Sequence, residues 1–196
     1  MVDLEDAVVR FRAHSPEAAL QLFAATCVER VWATGLLVWS RQTGREQDTA
    51  FVVGCLERIW SDLPMAERDR AEMRERVEAL PELTVEEQPS GPLFHPHYAA
   101  LCLRAAMSPG DRGESIDVTD LSLLMSEYAD ALDEQFQDSS EATWHAEVAS
   151  QLAAIGRLEA GPPTEGWAGV AGAMRVVARR EGRSRGERLR PLVDGG

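Results

Sequence analysis

The chain has 196 residues, and its 33 Asp and Glu residues outnumber 20 basic residues, which gives a formal net charge of −13 at pH 7. A composition of 44% hydrophobic and 27% charged residues is typical of a packed domain and excludes global disorder. Binding to a nucleic-acid backbone needs clustered cations, so the acidity argues against a nucleic-acid partner and favours a basic protein partner.

Apolar residues recur at helical spacing along the chain and predict six or seven helices and no strands. Ser15, Pro16 and Glu17 form a helix-start signal, and the helix that follows is apolar on almost every side, as expected at the centre of a bundle. Gly44 is a plausible stop between this helix and a second apolar helix over residues 48–63. The later helices are expected over 67–78 and around Tyr98, Leu121, Trp144 and Trp167. The predicted fold class is therefore all-α, a six- or seven-helix bundle with a central antiparallel helix hairpin.

Two segments interrupt this pattern. Residues 81–93 carry several prolines and no helical period, which indicates a long loop and a possible seam within one helical domain over 1–181. Residues 182–196 are predicted to form a mobile Arg-rich tail, because seven arginines and two glutamates lie between Arg175 and Arg190. These arginines could be attracted to the acidic body, dock an acidic partner or contact phosphate.

The amino-terminal region predicts a cytoplasmic protein with no membrane partner. Asp3 and Glu5 lie where a secretory signal would carry positive charge. Residues 18–40 are apolar enough to suggest a membrane span, but Glu29 and Arg30 lie at their centre, where each charge costs about 2.5–3.5 kcal/mol in a bilayer. A buried helix is the better interpretation.

An internal repeat is the most specific feature of the sequence. Residues 27–32, CVERVW, recur 28 positions later as CLERIW at 55–60. In an antiparallel hairpin centred on the intervening turn, Glu29 would face Arg58 and Arg30 would face Glu57. We therefore predict reciprocal structural ion pairs, which leave no isolated charge in an apolar seam.

The alternative is that inward glutamates and histidines form a metal site or an enzyme active site. Glu29 and Glu57 could act as acid and base or as metal ligands, with His97 as a further ligand. On an extended segment, His95 and His97 would point the same way and could chelate zinc. The chain lacks the Glu-x-x-His spacing of bundle di-metal sites, so no cofactor is predicted and metal binding by the two histidines stays open.

Other catalytic signals are missing from the sequence. Gly182 to Gly186, GRSRG, has the Gly-x-Ser-x-Gly spacing, but no predicted strand precedes it, so it does not indicate a nucleophile elbow. No phosphate-binding loop that needs lysine is possible because every basic residue is Arg. Cys27, Cys55 and Cys102 lie in apolar runs without paired spacing and are predicted to be small buried side chains. These observations favour a non-enzymatic protein.

The amino-terminal half also carries a resemblance to a known family. The residues that carry it are 22–30, LFAATCVER, followed by Ser40 and Gly44 and then by Leu56, Ile59 and Trp60. This pattern resembles the YjaG-like family of small all-helical bacterial proteins of unknown function. The resemblance covers residues 22–60 and implies an all-helical single domain without assigned chemistry. This sequence lacks the proline expected soon after the Glu-Arg pair, and the resemblance does not explain the Arg-rich tail.

Acidic residues accumulate again between Glu114 and Glu141 without an intervening basic residue. Such a face is often only solvated, but it would also favour fast docking of a cationic protein surface. The predicted partner-binding residues are Asp117, Asp120, Glu127, Asp130, Asp133, Glu134 and Asp138. The sequence thus predicts a protein-binding module for a basic partner, of the immunity-protein, antitoxin or adaptor type, which could also form a homo-oligomer.

Overall fold

A computed structural model describes residues 3–42, 44–108, 116–162 and 166–194, and these ranges contain eight α-helices. The helices are α1 (Leu4–His14), α2 (Glu17–Trp39), α3 (Glu46–Ser61), α4 (Glu67–Glu78), α5 (Phe94–Met107), α6 (Val118–Phe136), α7 (Ala142–Glu159) and α8 (Trp167–Asp194). Two 3₁₀ turns, Pro81–Leu83 and Gly91–Leu93, lie between α4 and α5. The predicted all-α fold class is confirmed.

The described helices outnumber the predicted six or seven because α1 was not expected from the sequence. Asp3 caps α1 by accepting a hydrogen bond from the Glu5 amide at 3.1 Å, and the helix buries Ala7, Val8 and Phe11. The sequence predicts a helix start at Ser15, but α2 begins two residues later, and the Ser15 amide donates a hydrogen bond to the last turn of α1.

Helix α2 is the centre of the bundle. It contacts α3, α5, α6, α7 and α8, and buried residues occupy every side of it. By length and composition α2 could cross a membrane, but 83% of its most apolar stretch is buried inside the protein. The predicted buried core helix matches this packing.

The Arg-rich end is part of the bundle rather than a separate tail. Helix α8 continues without interruption past the predicted boundary at residue 181 and packs along α2. Arg185 and Leu189 lie within the predicted tail and are buried, and Gly182 lies against the backbone of α2. The sequence interpretation considered attraction of these arginines to the acidic body, and several of them do bind acids of the bundle, but it did not predict that the helix continues through this segment.

The segment over 81–93 does not divide the core, since one cluster of buried side chains includes residues from both sides of it. Glu82 fixes this segment by accepting hydrogen bonds from Trp39 Nε1 at 2.7 Å and from both terminal nitrogens of Arg45 at 2.7 and 2.8 Å. Burial raises the pKa of the Glu82 carboxyl, but Arg45 and Trp39 outweigh it and hold that pKa below its ordinary value.

Candidate functional site

The solvent face of α6 carries four exposed carboxylates and one exposed leucine. These five residues are spaced at i, i+3, i+7, i+10 and i+14, so they share one side of the helix. They are Asp120, Leu123, Glu127, Asp130 and Glu134. Leu123 is 58% exposed, which is unusual for a large apolar side chain flanked by acids. These five residues form the acidic stripe.

Three of the seven predicted partner-binding residues instead serve the fold. Asp117 is buried and caps α6 through the Thr119 amide at 3.0 Å. Asp133 is 3% exposed and accepts from the Thr143 amide at 3.0 Å and the Trp144 amide at 2.8 Å, so it caps α7.

The third of these acids also has internal partners. The Asp138 carboxylate accepts from Ser140 and lies 3.5 Å from Arg188 of α8. The prediction from charge alone could not separate capping acids from exposed acids, because both are acidic residues of the same segment. Glu114, the first acid of that segment, lies outside the described residues.

The predicted ion pairs across the repeat are wrong, although all four residues do form ion pairs. Glu29 accepts from Trp60 Nε1 at 2.7 Å and from Arg179 Nε at 2.8 Å. Glu57 binds Arg175 and Arg179, and Arg175 holds the pKa of the Glu57 carboxyl below its ordinary value. The two glutamates therefore share cations of α8.

The two arginines of the repeat also have other partners. Arg58 binds Asp62 at 3.0 Å and Asp69 at 2.7 Å, near the end of α3 and on α4. Arg30 points into the bundle and binds Glu147 of α7. The pairing rule failed because it considered two helices, whereas adjacent residues on α2 face different helices about 100° apart and α8 supplies closer cations.

The most deeply buried charges form a cluster between α2, α7 and α8. Glu147 is fully buried and accepts from Arg30 Nε at 3.1 Å and Arg30 Nη2 at 2.7 Å, and it also binds Arg185. Gln151 donates to Glu147 at 3.0 Å, and Ser122 donates to Gln151 at 2.5 Å. Burial raises the pKa of the Glu147 carboxyl, but the two arginines outweigh burial and lower it.

The two histidines of the HPH motif point to different places. Both lie in the first turn of α5, which is helical rather than extended, so residues two apart do not share a side. His95 is 2% exposed and its Nδ1 lies 3.0 Å from the Tyr128 hydroxyl, whereas His97 Nδ1 lies 2.7 Å from the Glu82 carbonyl oxygen.

The hydrogen bonds of Tyr128 place a proton on Nδ1 of His95. The Tyr128 hydroxyl donates to Thr34 Oγ1 at 2.7 Å, so its oxygen accepts from His95 Nδ1–H. Burial lowers the pKa of His95 to about 4, and the imidazole is therefore neutral at pH 7.

The residues of the predicted metal or catalytic alternative do not form one site. Glu29 and Glu57 meet around arginines, and His97 binds a backbone carbonyl of the 81–93 segment. In the described ranges, no group of three or more His, Cys, Asp and Glu side chains is arranged to hold a metal ion.

The three cysteines are buried, as the sequence predicts. Cys27, Cys55 and Cys102 are free thiols, and burial raises the pKa of Cys27 and of Cys55 to about 12 and that of Cys102 well above its ordinary value. Nucleophilic attack requires the thiolate, so these side chains are inert near pH 7.

Sequence reasoning missed Leu123 and the buried ion pairs of Glu147. Leu123 falls outside the buried stripe of α6 formed by Leu121, Met125 and Tyr128. Its position on the acidic side of the helix is the sequence signal that could have identified it. Glu147 falls on the buried face of α7 at helical spacing from its neighbours, a position where a charge requires a partner.

The chain matches no family model, no curated protein and no solved structure. The resemblance of residues 22–60 to the YjaG-like family therefore stays a prediction.

Proposed function

We propose that this protein is a non-enzymatic binding module and that the acidic stripe of α6 docks a basic surface of a partner protein. The observation that carries the proposal is the position of Leu123, which is 58% exposed on a helix face where four carboxylates are exposed. Protein interfaces commonly combine an apolar centre with a polar rim.

The charges of the stripe are available to a partner. Among the residues that the structure describes, Asp120, Glu127, Asp130 and Glu134 form no ion pair with any arginine. Unpaired carboxylates on one face attract a cationic surface over several ångströms and increase the association rate. A cationic partner would replace their interaction with water by direct ion pairs.

The stripe is also held rigidly. Asp117 caps the beginning of α6, and Asp133 ties its end to the first turn of α7. Binding to a rigid surface loses less conformational entropy than binding to a mobile loop. The acids that do not face the partner therefore contribute indirectly, by fixing the helix that carries the others.

The proposal places the protein in the class of small binding proteins that neutralise or recruit a cationic protein, such as an immunity protein, an antitoxin or an adaptor. Such a module needs a stable scaffold and an accessible charged face, and it needs no reactive group. The buried neutral imidazole of His95 and the buried thiols are compatible with this scaffold role.

The test is affinity capture from the native cell with three matched baits, followed by quantitative mass spectrometry. The baits are the wild-type chain, a stripe variant (Asp130→Asn, Glu134→Gln) and a control variant (Glu72→Gln, Glu75→Gln), which neutralises two exposed acids of α4. A basic protein that binds the wild type and the control but is depleted at least tenfold on the stripe variant supports the proposal. Equal recovery of every captured protein on all three baits would reject it.

A further inference from the structure

A groove between α2 and α8 lies outside the surface that the proposed function uses. Ala33, Leu36 and Leu37 of α2 form an apolar floor, and Arg183 and Arg190 of α8 line the opposite side. This part of the groove has a volume of about 450 Å³. We call it the α2–α8 groove.

The groove continues toward α3. A neighbouring depression of about 340 Å³ shares Ala33, Leu36 and Arg183 with it and extends over Val53 and Leu56. Val53 is 38% exposed, and α3 makes few contacts with α8, so this apolar floor is open to solvent. The two depressions therefore form one continuous surface that extends from α8 over α2 to α3.

Two glycines of α8 shape the groove. Gly182 brings α8 against the backbone of α2, because its Cα position leaves no room for a methyl group. Gly186 lies one turn further along, and its missing side chain leaves the floor above Ala33 uncovered.

The arginines of the groove differ from most other arginines of α8, although Arg180 is also exposed and forms no ion pair among the described residues. Arg175, Arg179 and Arg185 bind acids of the bundle. Within the described part of the chain, Arg183 and Arg190 form no ion pair and are exposed. In the α2–α8 groove the two arginines outnumber Glu187, in contrast to the net charge of −13 for the whole chain. The depression toward α3 is also lined by Glu29 and Glu57, but both of these carboxylates bind Arg179.

We infer that the α2–α8 groove binds the acidic stripe of a second copy of this chain, an inference that rests on the proposed docking role of that stripe. The two surfaces are complementary in charge and in apolar character. One presents unpaired guanidinium groups beside an apolar floor, and the other presents unpaired carboxylates beside an exposed leucine.

The spacing of the two surfaces also matches. Asp120 and Glu127 are seven residues apart, as are the two arginines of the groove, and this separation is about 10.5 Å along a helix. Leu123 follows Asp120 by three residues, just as Gly186 follows Arg183. When α6 of one copy lies parallel to α8 of the other, each carboxylate faces a guanidinium group and the leucine lies over the glycine.

This contact joins two different surfaces, so it is heterologous: after two copies join, one copy keeps an unused groove and the other keeps an unused stripe. Such contacts produce rings or chains of subunits rather than a symmetric two-fold dimer. The like net charges of the two copies oppose association, but at 0.15 M salt they are screened beyond about 8 Å, whereas ion pairs in direct contact are screened less.

The experiment is sedimentation velocity on the purified full chain at about 0.15 M salt, where this screening applies. A groove variant (Arg183→Glu, Arg190→Glu) and a stripe variant for this contact (Asp120→Asn, Leu123→Ser, Glu127→Gln) each remove one side of it. All five positions are exposed, and circular dichroism verifies that the variants fold.

The wild type is expected to form species larger than a dimer as its concentration rises, and each variant alone is expected to remain a monomer. Mixing the two variants should give a 1:1 heterodimer and nothing larger, because the mixture contains one intact stripe and one intact groove per pair. A control variant (Arg68→Glu, Arg104→Glu) has the same charge change as the groove variant and should assemble like the wild type, since both arginines are exposed elsewhere.

A monomeric wild type at its highest soluble concentration, or a mixture that gives no heterodimer, would overturn the inference. Assembly of the groove variant to the same extent as the wild type would also overturn it. These outcomes are separate from failure of the proposed function. The groove variant keeps its stripe, so it would still capture a different basic protein if the stripe docks such a partner.

Discussion

Glu147 on α7 and Arg30 on α2 form a two-point ion pair in the centre of the bundle, with nitrogen–oxygen distances of 2.7 and 3.1 Å. Glu147 is fully buried and Arg30 is 1% exposed. Arg185 of α8 binds the same carboxylate, so one acid binds cations from two helices. The pair fixes how α2, α7 and α8 are placed relative to one another.

Replacing Glu147 by Gln should strongly destabilise the protein. The substitution keeps the size of the side chain but leaves Arg30 and Arg185 charged and buried, which typically costs about 3–5 kcal/mol. Denaturant unfolding measures the loss. Glu159→Gln is the matched control, since Glu159 is exposed on the same helix, and it should change the free energy of unfolding by less than about 0.5 kcal/mol. Equal effects of the two substitutions would contradict the role of the buried pair.

Gly182 and Gly172 should respond to alanine in opposite directions. A Cβ at Gly182 would lie 2.9 Å from the Glu29 carbonyl oxygen and 3.0 Å from that of Arg30, whereas a Cβ at Gly172 would meet nothing within 4 Å. Gly182→Ala should therefore lower the free energy of unfolding by about 1–3 kcal/mol.

Gly172→Ala should instead raise this free energy by about 0.5–1 kcal/mol, because alanine favours the helix. Thermal and denaturant unfolding of both variants measure the two effects. A Gly182→Ala protein as stable as the wild type would show that α8 does not approach α2 as closely as described.

Leu189 tests whether the Arg-rich end belongs to the core. Its side chain is fully buried in α8, so Leu189→Ala should destabilise the protein by about 2–5 kcal/mol. Leu192, which is 46% exposed on the same helix, is the matched control and should change stability by less than about 0.5 kcal/mol when replaced by alanine. A mobile tail would make the two substitutions equally harmless in urea unfolding.

The stability of the protein should fall as the pH drops below the ordinary pKa of histidine. His95 has a pKa of about 4 in the folded chain, compared with an ordinary value of 6.5. Between these values the unfolded chain binds a proton that the folded chain does not bind. The contribution of His95 is therefore complete above pH 6.5 and is lost at about 1.4 kcal/mol per pH unit as the pH falls toward 4.

Urea unfolding between pH 6.5 and 5 measures this slope, and the imidazole signals of His95 in NMR spectra measure its pKa directly. In His95→Gln the side chain can still donate to Tyr128 but cannot titrate, so the slope in this range should decrease by about 1.4 kcal/mol per pH unit. An unchanged slope in the variant would exclude His95 as its cause.

The sequence predicts the helical scaffold well because apolar spacing reports which helix faces are buried. The all-round apolar pattern of α2 predicts its central position. The prolines at 81 and 92 mark the segment between α4 and α5 that is not α-helical. The partners of Glu29 and Arg30 were not predictable from spacing alone. Their charged partners come from α7 and α8, more than a hundred residues away in the chain, and only the packed helices bring them together.

The acidic face was predicted as a segment but not residue by residue. Charge alone identifies both Asp130, which is exposed, and Asp133, which is buried beneath the start of α7. Capping depends on where the next helix begins, and this position was not evident from the residues around Glu141. Leu123 was overlooked because a leucine in an amphipathic helix is usually assigned to the core.

The most direct measurement of the docking role is the association rate constant of the captured basic partner with the wild-type chain and with the Asp130→Asn, Glu134→Gln variant, over a range of salt concentrations. The wild-type rate constant should be higher at low salt and should fall steeply as salt is added, because unpaired carboxylates steer the encounter. The variant should associate more slowly and with a weaker dependence on salt. Equal association rate constants for the two proteins at every salt concentration would contradict the docking of a basic partner on the acidic stripe.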